Sequence, residues 1–187
     1  IMVCPDGDDW APGGEYSVTI GEGIEDKAGN ATTEAFSFGF PVATPVLEVV
    51  SIANIPPLAH EPFVAADLSS GEPLAIGIDI SMDSHTFTIV LSETFTPVEA
   101  ERLVKAISIH ALFPYGAANP MLASMLPVYG NQNSITLDFT GFSTPDSNPE
   151  ERFLYRLSID GGERGFILDS GARFRDDFEL LLETAPY

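Results

Sequence analysis

The sequence predicts an all-β fold, a β-sandwich with one short helix, and three observations carry that prediction. Nine short stretches alternate apolar with polar residues or are rich in β-branched and aromatic ones, the pattern of half-buried strands. Gly (16) and Pro (15) are spread through all 187 residues, as many connections between short strands require. Only one stretch, 97–106, has good helical spacing.

The predicted strands are 16–20, 35–40, 45–53, 74–80, 85–92, 106–112, 134–139, 153–159 and 177–184. In 85–92, Phe87, Ile89 and Leu91 take one side and Thr86, Thr88 and Val90 the other. In 134–139, Ile135, Leu137 and Phe139 face one way and Ser134, Thr136 and Asp138 the other. The helix over 97–106 has Thr96 as its cap and Glu99 three residues on, a capping box, with Leu103 and Val104 as its apolar side. Residues 41–46 hold Pro41 and Pro45 and read as a short linker between modules. Residues 113–133 hold Pro114, Pro120, Pro127 and Asn131-Gln132-Asn133, and read as a long loop where a binding site could lie. The expected core is Phe87, Ile89, Leu91, Ile135, Leu137, Leu157, Ile159, Phe178, Leu180 and Leu182.

Charge narrows the partners. With 28 acidic and 8 basic residues the formal net charge is −20. Phosphates and anionic lipid surfaces repel such a chain, so neither nucleic acid nor a membrane surface is an expected partner. Hydrophobic residues (44%) and aromatics (10%) are enough for a packed core. No apolar run reaches the ~18 residues of a spanning helix. Cys4 is the single cysteine, so an internal disulfide is excluded, and a bridge to another chain or to further sequence stays open. Ile1-Met2-Val3-Cys4 lacks the small residue that precedes a lipid-attached cysteine. The chain opens on Ile1 with no signal-peptide pattern, and is read as a processed form or a piece of something longer.

The chain repeats itself. Tyr16-Ser17-Val18-Thr19-Ile20 is similar to Tyr155-Arg156-Leu157-Ser158-Ile159. Each is followed by a turn with acidic residues and a glycine: Ile24-Glu25-Asp26-Lys27-Ala28-Gly29-Asn30 in one case, Ile167-Leu168-Asp169-Ser170-Gly171 in the other. Phe36, Phe38 and Phe40 lie 7, 9 and 11 residues beyond Gly29, and Phe178, Leu180 and Leu182 stand at the same offsets beyond Gly171. Tyr155 follows Tyr16 by 139 positions and Phe178 follows Phe36 by 142, so 44–187 is one complete module and 1–43 is the closing third of another. Tyr16 and Tyr155 are each expected to start a strand, ring inward and hydroxyl bonded to nearby backbone. Gly29 and Gly171 are expected in the left-handed region, with Asp26 and Asp169 accepting turn N–H groups.

Pro12-Gly13-Gly14-Glu15-Tyr16, the Asp26-Lys27-Ala28-Gly29-Asn30 turn and Phe36-Ser37-Phe38 together resemble the end of a bacterial immunoglobulin-like domain of the S-layer-protein type. His85-Thr86-Phe87-Thr88-Ile89-Val90-Leu91-Ser92-Glu93 looks like an early core strand of that family. The second copy departs from the pattern: its turn is shorter and lacks the Asn, and no Pro-Gly precedes Tyr155. The match covers 12–40, 85–93 and 153–184. It implies tandem immunoglobulin-like modules in a protein at the bacterial cell surface or in the medium.

Chemistry is sparse. His60, His85 and His110 are scattered, with His85 and His110 expected at a surface or edge. His60-Glu61 opens like a zincin motif but Val64 stands where the second histidine belongs. No nucleophile elbow, P-loop or dinucleotide fingerprint occurs, so the chain is read as non-enzymatic. Asp6, Asp8 and Asp9, with Gly7 between, are the candidate calcium ligands, although the later bidentate Glu of a full loop is missing. Asn30-Ala31-Thr32 is formally a glycosylation acceptor.

Two functions follow. One is a structural, spacer or adhesion module of an exported bacterial protein. The other is a ligand-binding module for glycan or host protein through 113–133, where Phe113, Tyr115 and Tyr129 are the aromatics on offer while Trp10 lies outside the complete module. Val18, Ile20, Phe36, Phe38 and Phe40 have no other strand of their own module to cover them. Residues 1–43 are therefore expected to pack on a neighbouring module, on upstream sequence or, above all, to self-associate with a second chain.

Overall fold

The computed structural model describes residues 10–54, 63–78, 84–143 and 153–186. The chain divides into two compact units, Ile1–Pro45 and Val46–Tyr187.

In the first unit, β1 (Glu15–Ile20) and β2 (Phe36–Pro41) form a two-stranded antiparallel sheet. Its register pairs Tyr16 with Phe40, Val18 with Phe38 and Ile20 with Phe36, which gathers six apolar side chains on one face. Trp10 sets its ring edge-on to Tyr16 and Phe40, with centroids 4.6 and 5.3 Å apart. Beyond that cluster the face stays open: Phe36 is 61% and Phe38 43% exposed.

The second unit is a sandwich of two sheets. One has the order β4-β3-β6-β9-β8, with β3 (Val49–Asn54), β4 (Phe63–Val64), β6 (Ser84–Phe95), β8 (Met121–Met125) and β9 (Gln132–Thr140). The other has the order β5-β11-β10-β7, with β5 (Leu74–Ile78), β7 (Ile107–Phe113), β10 (Phe153–Ile159) and β11 (Phe178–Pro186). All pairings between these strands are antiparallel except β5 with β11, and an isolated parallel bridge joins Val46 to Arg173. Lettering β3, β6, β7, β8, β9, β10 and β11 as A to G gives A-B-E-D in one layer and C-F-G in the other, the strand order of a constant-type immunoglobulin sandwich.

The alternation read from sequence fills the space between the layers. Phe87, Ile89 and Leu91 from β6, Ile135, Leu137 and Phe139 from β9, Tyr155, Leu157 and Ile159 from β10, and Leu180 and Leu182 from β11 are all buried. Phe178 only packs partly against this core. His85 departs from expectation: it is buried, its ring edge-on to Phe87 at 4.7 Å, because it occupies an inward position of β6. His110 is exposed on β7.

Helix α2 (Pro97–Ala106) is the one expected, capped as its sequence requires. Thr96 N–H donates to Glu99 Oε2 at 2.7 Å and Glu99 N–H donates to Thr96 Oγ1 at 3.3 Å. Leu103 and Ala100 bury its apolar face. A single additional turn, α1 (Ala65–Leu68), follows β4 and was not expected. Residues 113–133 also correct the sequence reading: the segment is not all loop, since β8 lies within it and pairs with β9. The prolines on either side of β8 mask it in sequence, and its pairing partner supplies the strand geometry.

Candidate functional site

Two features invite a functional reading: the geometry that the β1–β2 and β10–β11 hairpins share, and the surface built by residues 111–130.

The two hairpins agree down to single hydrogen bonds. Tyr155 is wholly buried, with Phe142 edge-on at 5.0 Å, and its hydroxyl accepts from Ser143 N–H at 2.8 Å. Thr184 Oγ1 donates to Ser143 O at 2.8 Å, so both backbone groups of Ser143 are held. This is a tyrosine corner. Tyr16 repeats it, accepting from Ala11 N–H at 2.7 Å. The register repeats too, because Tyr155, Leu157 and Ile159 face Leu182, Leu180 and Phe178 as Tyr16, Val18 and Ile20 face Phe40, Phe38 and Phe36.

The turns match at a spacing of 142. Gly29 N–H donates to Asp26 O and Gly171 N–H to Leu168 O, and the bridges Glu25 to Ala31 and Ile167 to Arg173 close each turn. Gly29 and Gly171 take φ of 83° and 85°, in the region that favours glycine. Asp26 acts as expected: its Oδ1 accepts from Ala28 N–H at 2.7 Å and Asn30 N–H at 2.9 Å, and its Oδ2 from Asn30 Nδ2 at 2.9 Å. The Asn30 side chain, then the Asn30 and Ala28 amides, hold its carboxyl below the ordinary value.

Asp169 does not act that way. The structure puts Leu168, buried in the core, at the position of Asp26, and Asp169 one place later. Asp169 Oδ1 instead accepts from Arg102 at 2.6 Å, and its N–H donates to Glu99 Oε1 at 2.8 Å. Glu99 thus joins α2 to the turn between β10 and β11. Burial would raise its carboxyl, but donors from Asp169 and Thr96, with Arg102 at 3.8 Å, outweigh burial and hold it below the ordinary value.

The second feature leaves the edge of β7 and crosses to β8. The Phe113–Pro114 peptide is cis, and Ala117 N–H closes the following turn on Pro114 O at 3.1 Å. Asn119 Oδ1 accepts from Ala111 N–H at 2.8 Å, fastening the segment to the β7 edge. Pro120 and Val128 are buried as anchors, and Leu126 N–H donates to Thr136 O at 3.0 Å. Held at these points, the segment displays apolar side chains outward: Tyr115 is fully exposed, Tyr129 75%, Met121 71%, and Phe113 and Leu126 lie beside them in sequence with about half their surface open. Aromatics and methionine on a pinned backbone suit contact with another molecule, since little ordering remains to be done on binding.

A groove of about 660 Å³ lies elsewhere in the second unit, with Leu47, Ala66, Ser69, Phe174 and Asp177 among its walls. Ser69 Oγ is committed to Ala66 O at 2.6 Å and Asp177 Oδ1 to Gly161 N–H at 2.8 Å. Glu48, Asp176 and Glu179 also line it, and no histidine or cysteine is among its described walls. Among the described residues no three His, Cys, Asp or Glu side chains gather as a metal site. The calcium candidates Asp6, Asp8 and Asp9 lie outside the described residues, as do Cys4 and His60. Among the described residues no helix is long and apolar enough to cross a membrane. Compared with known proteins, the chain matches no family model and no curated sequence.

Proposed function

We propose that the chain is a non-enzymatic structural or adhesion module of an exported bacterial protein, built from immunoglobulin-like units in tandem. The observation that supports this reading most is the repeated framework: two tyrosine hydroxyls bonded to upstream backbone and two strand pairs in the same register. Tandem sandwich modules suit spacing and display, because a complete module closes on its own core and presents variable connections outward. The net charge of −20 and the single cysteine suit an exported protein that does not rely on disulfides. Fractionating the source cells tests it. The protein is expected at the cell surface or in the medium, and recovery from the cytosol overturns the reading.

The exposed side chains of 113–129 favour a second reading, a module that binds glycan or protein through this segment. A glycan array and a pull-down with the intact chain separate the two. A spacer retains nothing specifically. A binding module retains a ligand, and replacing Tyr115 and Tyr129 together with Ala abolishes retention without changing the melting temperature.

A further inference from the structure

We propose that the open face of β1–β2 is the seat of a sheet of the β3-β6-β9-β8 kind, formed by polypeptide that runs into this hairpin from its N-terminal side. The inference rests on reading the two segments as copies of one module, and it names what completes the first copy. In the second unit the register-matched face of β10–β11 is covered: Tyr155, Leu157, Ile159, Leu180 and Leu182 are buried in one core with Phe87, Ile89, Ile135 and Leu137 of the facing sheet. The corresponding face of β1–β2 carries Tyr16, Val18, Ile20, Phe36, Phe38 and Phe40, with the same cross-strand pairs. It leaves Phe36 and Phe38 61% and 43% exposed.

The edges agree. β10 is paired on its outer side by β7 and β11 by β5, whereas the sheet holding β1 and β2 has no third strand among the described residues. A second copy of this chain fits the seat poorly. Two six-residue strands cover roughly 200 Å² of sheet plane, well short of the ~800 Å² per partner of a stable interface. Two chains of charge −20 also repel. Chain order favours the N-terminal side, because the strands that cover β10–β11 all precede it.

Hydrogen exchange on two forms tests this: the 187-residue chain, and the natural polypeptide extended by about 93 residues before Ile1, which with residues 1–14 equals the length that precedes β10 in the second unit. Amides of β1 and β2 are expected to exchange freely in the shorter form and about 100-fold or more slowly in the longer one. Phe87 and Leu137 amides should exchange alike in both. Phe38→Asp in the longer form should restore fast exchange to β1–β2 alone. Equal, fast exchange in both forms overturns the proposal, as does a gene with no strand-forming sequence before Ile1. Slow exchange in the shorter form also overturns it: with doubled mass on sedimentation the occupant is a second copy, and as a monomer the seat is filled from within. None of these outcomes bears on cellular location, so the surface-protein reading stands or falls separately.

Discussion

Tyr155 contributes to stability in two ways, by filling the space beside Phe142 and by satisfying the N–H of Ser143. Tyr155→Phe keeps the ring and strands that N–H, so it should cost about 1–2 kcal/mol in a urea melt. The same change at Tyr16 should cost less, because the Ala11 N–H it serves is exposed to water. Equal costs would count against the corner as a stabilising device. Glu99 makes the other residue-scale prediction. Its folded carboxyl titrates below the ordinary value, so its contribution is complete above the unfolded value of about 4.3 and is lost as pH falls through the folded one. Glu99→Gln should therefore be about 1–2 kcal/mol less stable than the parent at pH 7, with the gap closing below about pH 4. A gap independent of pH would mean that the charge is not what binds α2 to the 168–171 turn. Spacing made some of these roles legible. Thr96 and Glu99 are three residues apart, and each tyrosine lies near the start of its strand. Arg102, which meets Asp169 across 67 residues, could not be read from sequence, and neither could the burial of His85.

At the scale of elements, the strands that the sequence announces are those whose alternation is driven by the core. β6 and β9 alternate because one side of each faces the other sheet, and their apolar sides are almost wholly buried. Leu137→Ala should therefore open a cavity and cost ~2–5 kcal/mol in a denaturant melt. A loss under half that range would mean that the facing sheet collapses into the space. β8 was illegible for the opposite reason. Met121, Leu122, Ala123 and Ser124 are exposed, so no buried side imposes a period, and the backbone bonds to β9 alone make it a strand. α1, a single turn that buries only Leu68, leaves too short a pattern to read. The candidate contact surface shares this difficulty. Its location in 113–133 follows from the prolines, but its outward display depends on Asn119 reaching the β7 edge and on Val128 anchoring the return.

At the scale of the whole molecule, charge and the open hairpin face act against each other. At pH 7 a net charge of −20 keeps chains apart and also strains each chain by self-repulsion, so added salt should raise the melting temperature. Near the isoelectric point of about 4.1 the repulsion between chains vanishes. Hydrophobic contact is then unopposed, and the apolar patch of Phe36 and Phe38 becomes the first place where chains meet. Sedimentation velocity of the 187-residue chain should show monomer at pH 7 and reversible association near pH 4.1. Replacing Phe36 and Phe38 with Ser leaves the titratable groups unchanged, so it should reduce that association without moving the pH at which it peaks. If the doubly substituted chain associates as strongly as the parent, the sticky surface is elsewhere, and the exposed side chains of 113–129 become the place to look.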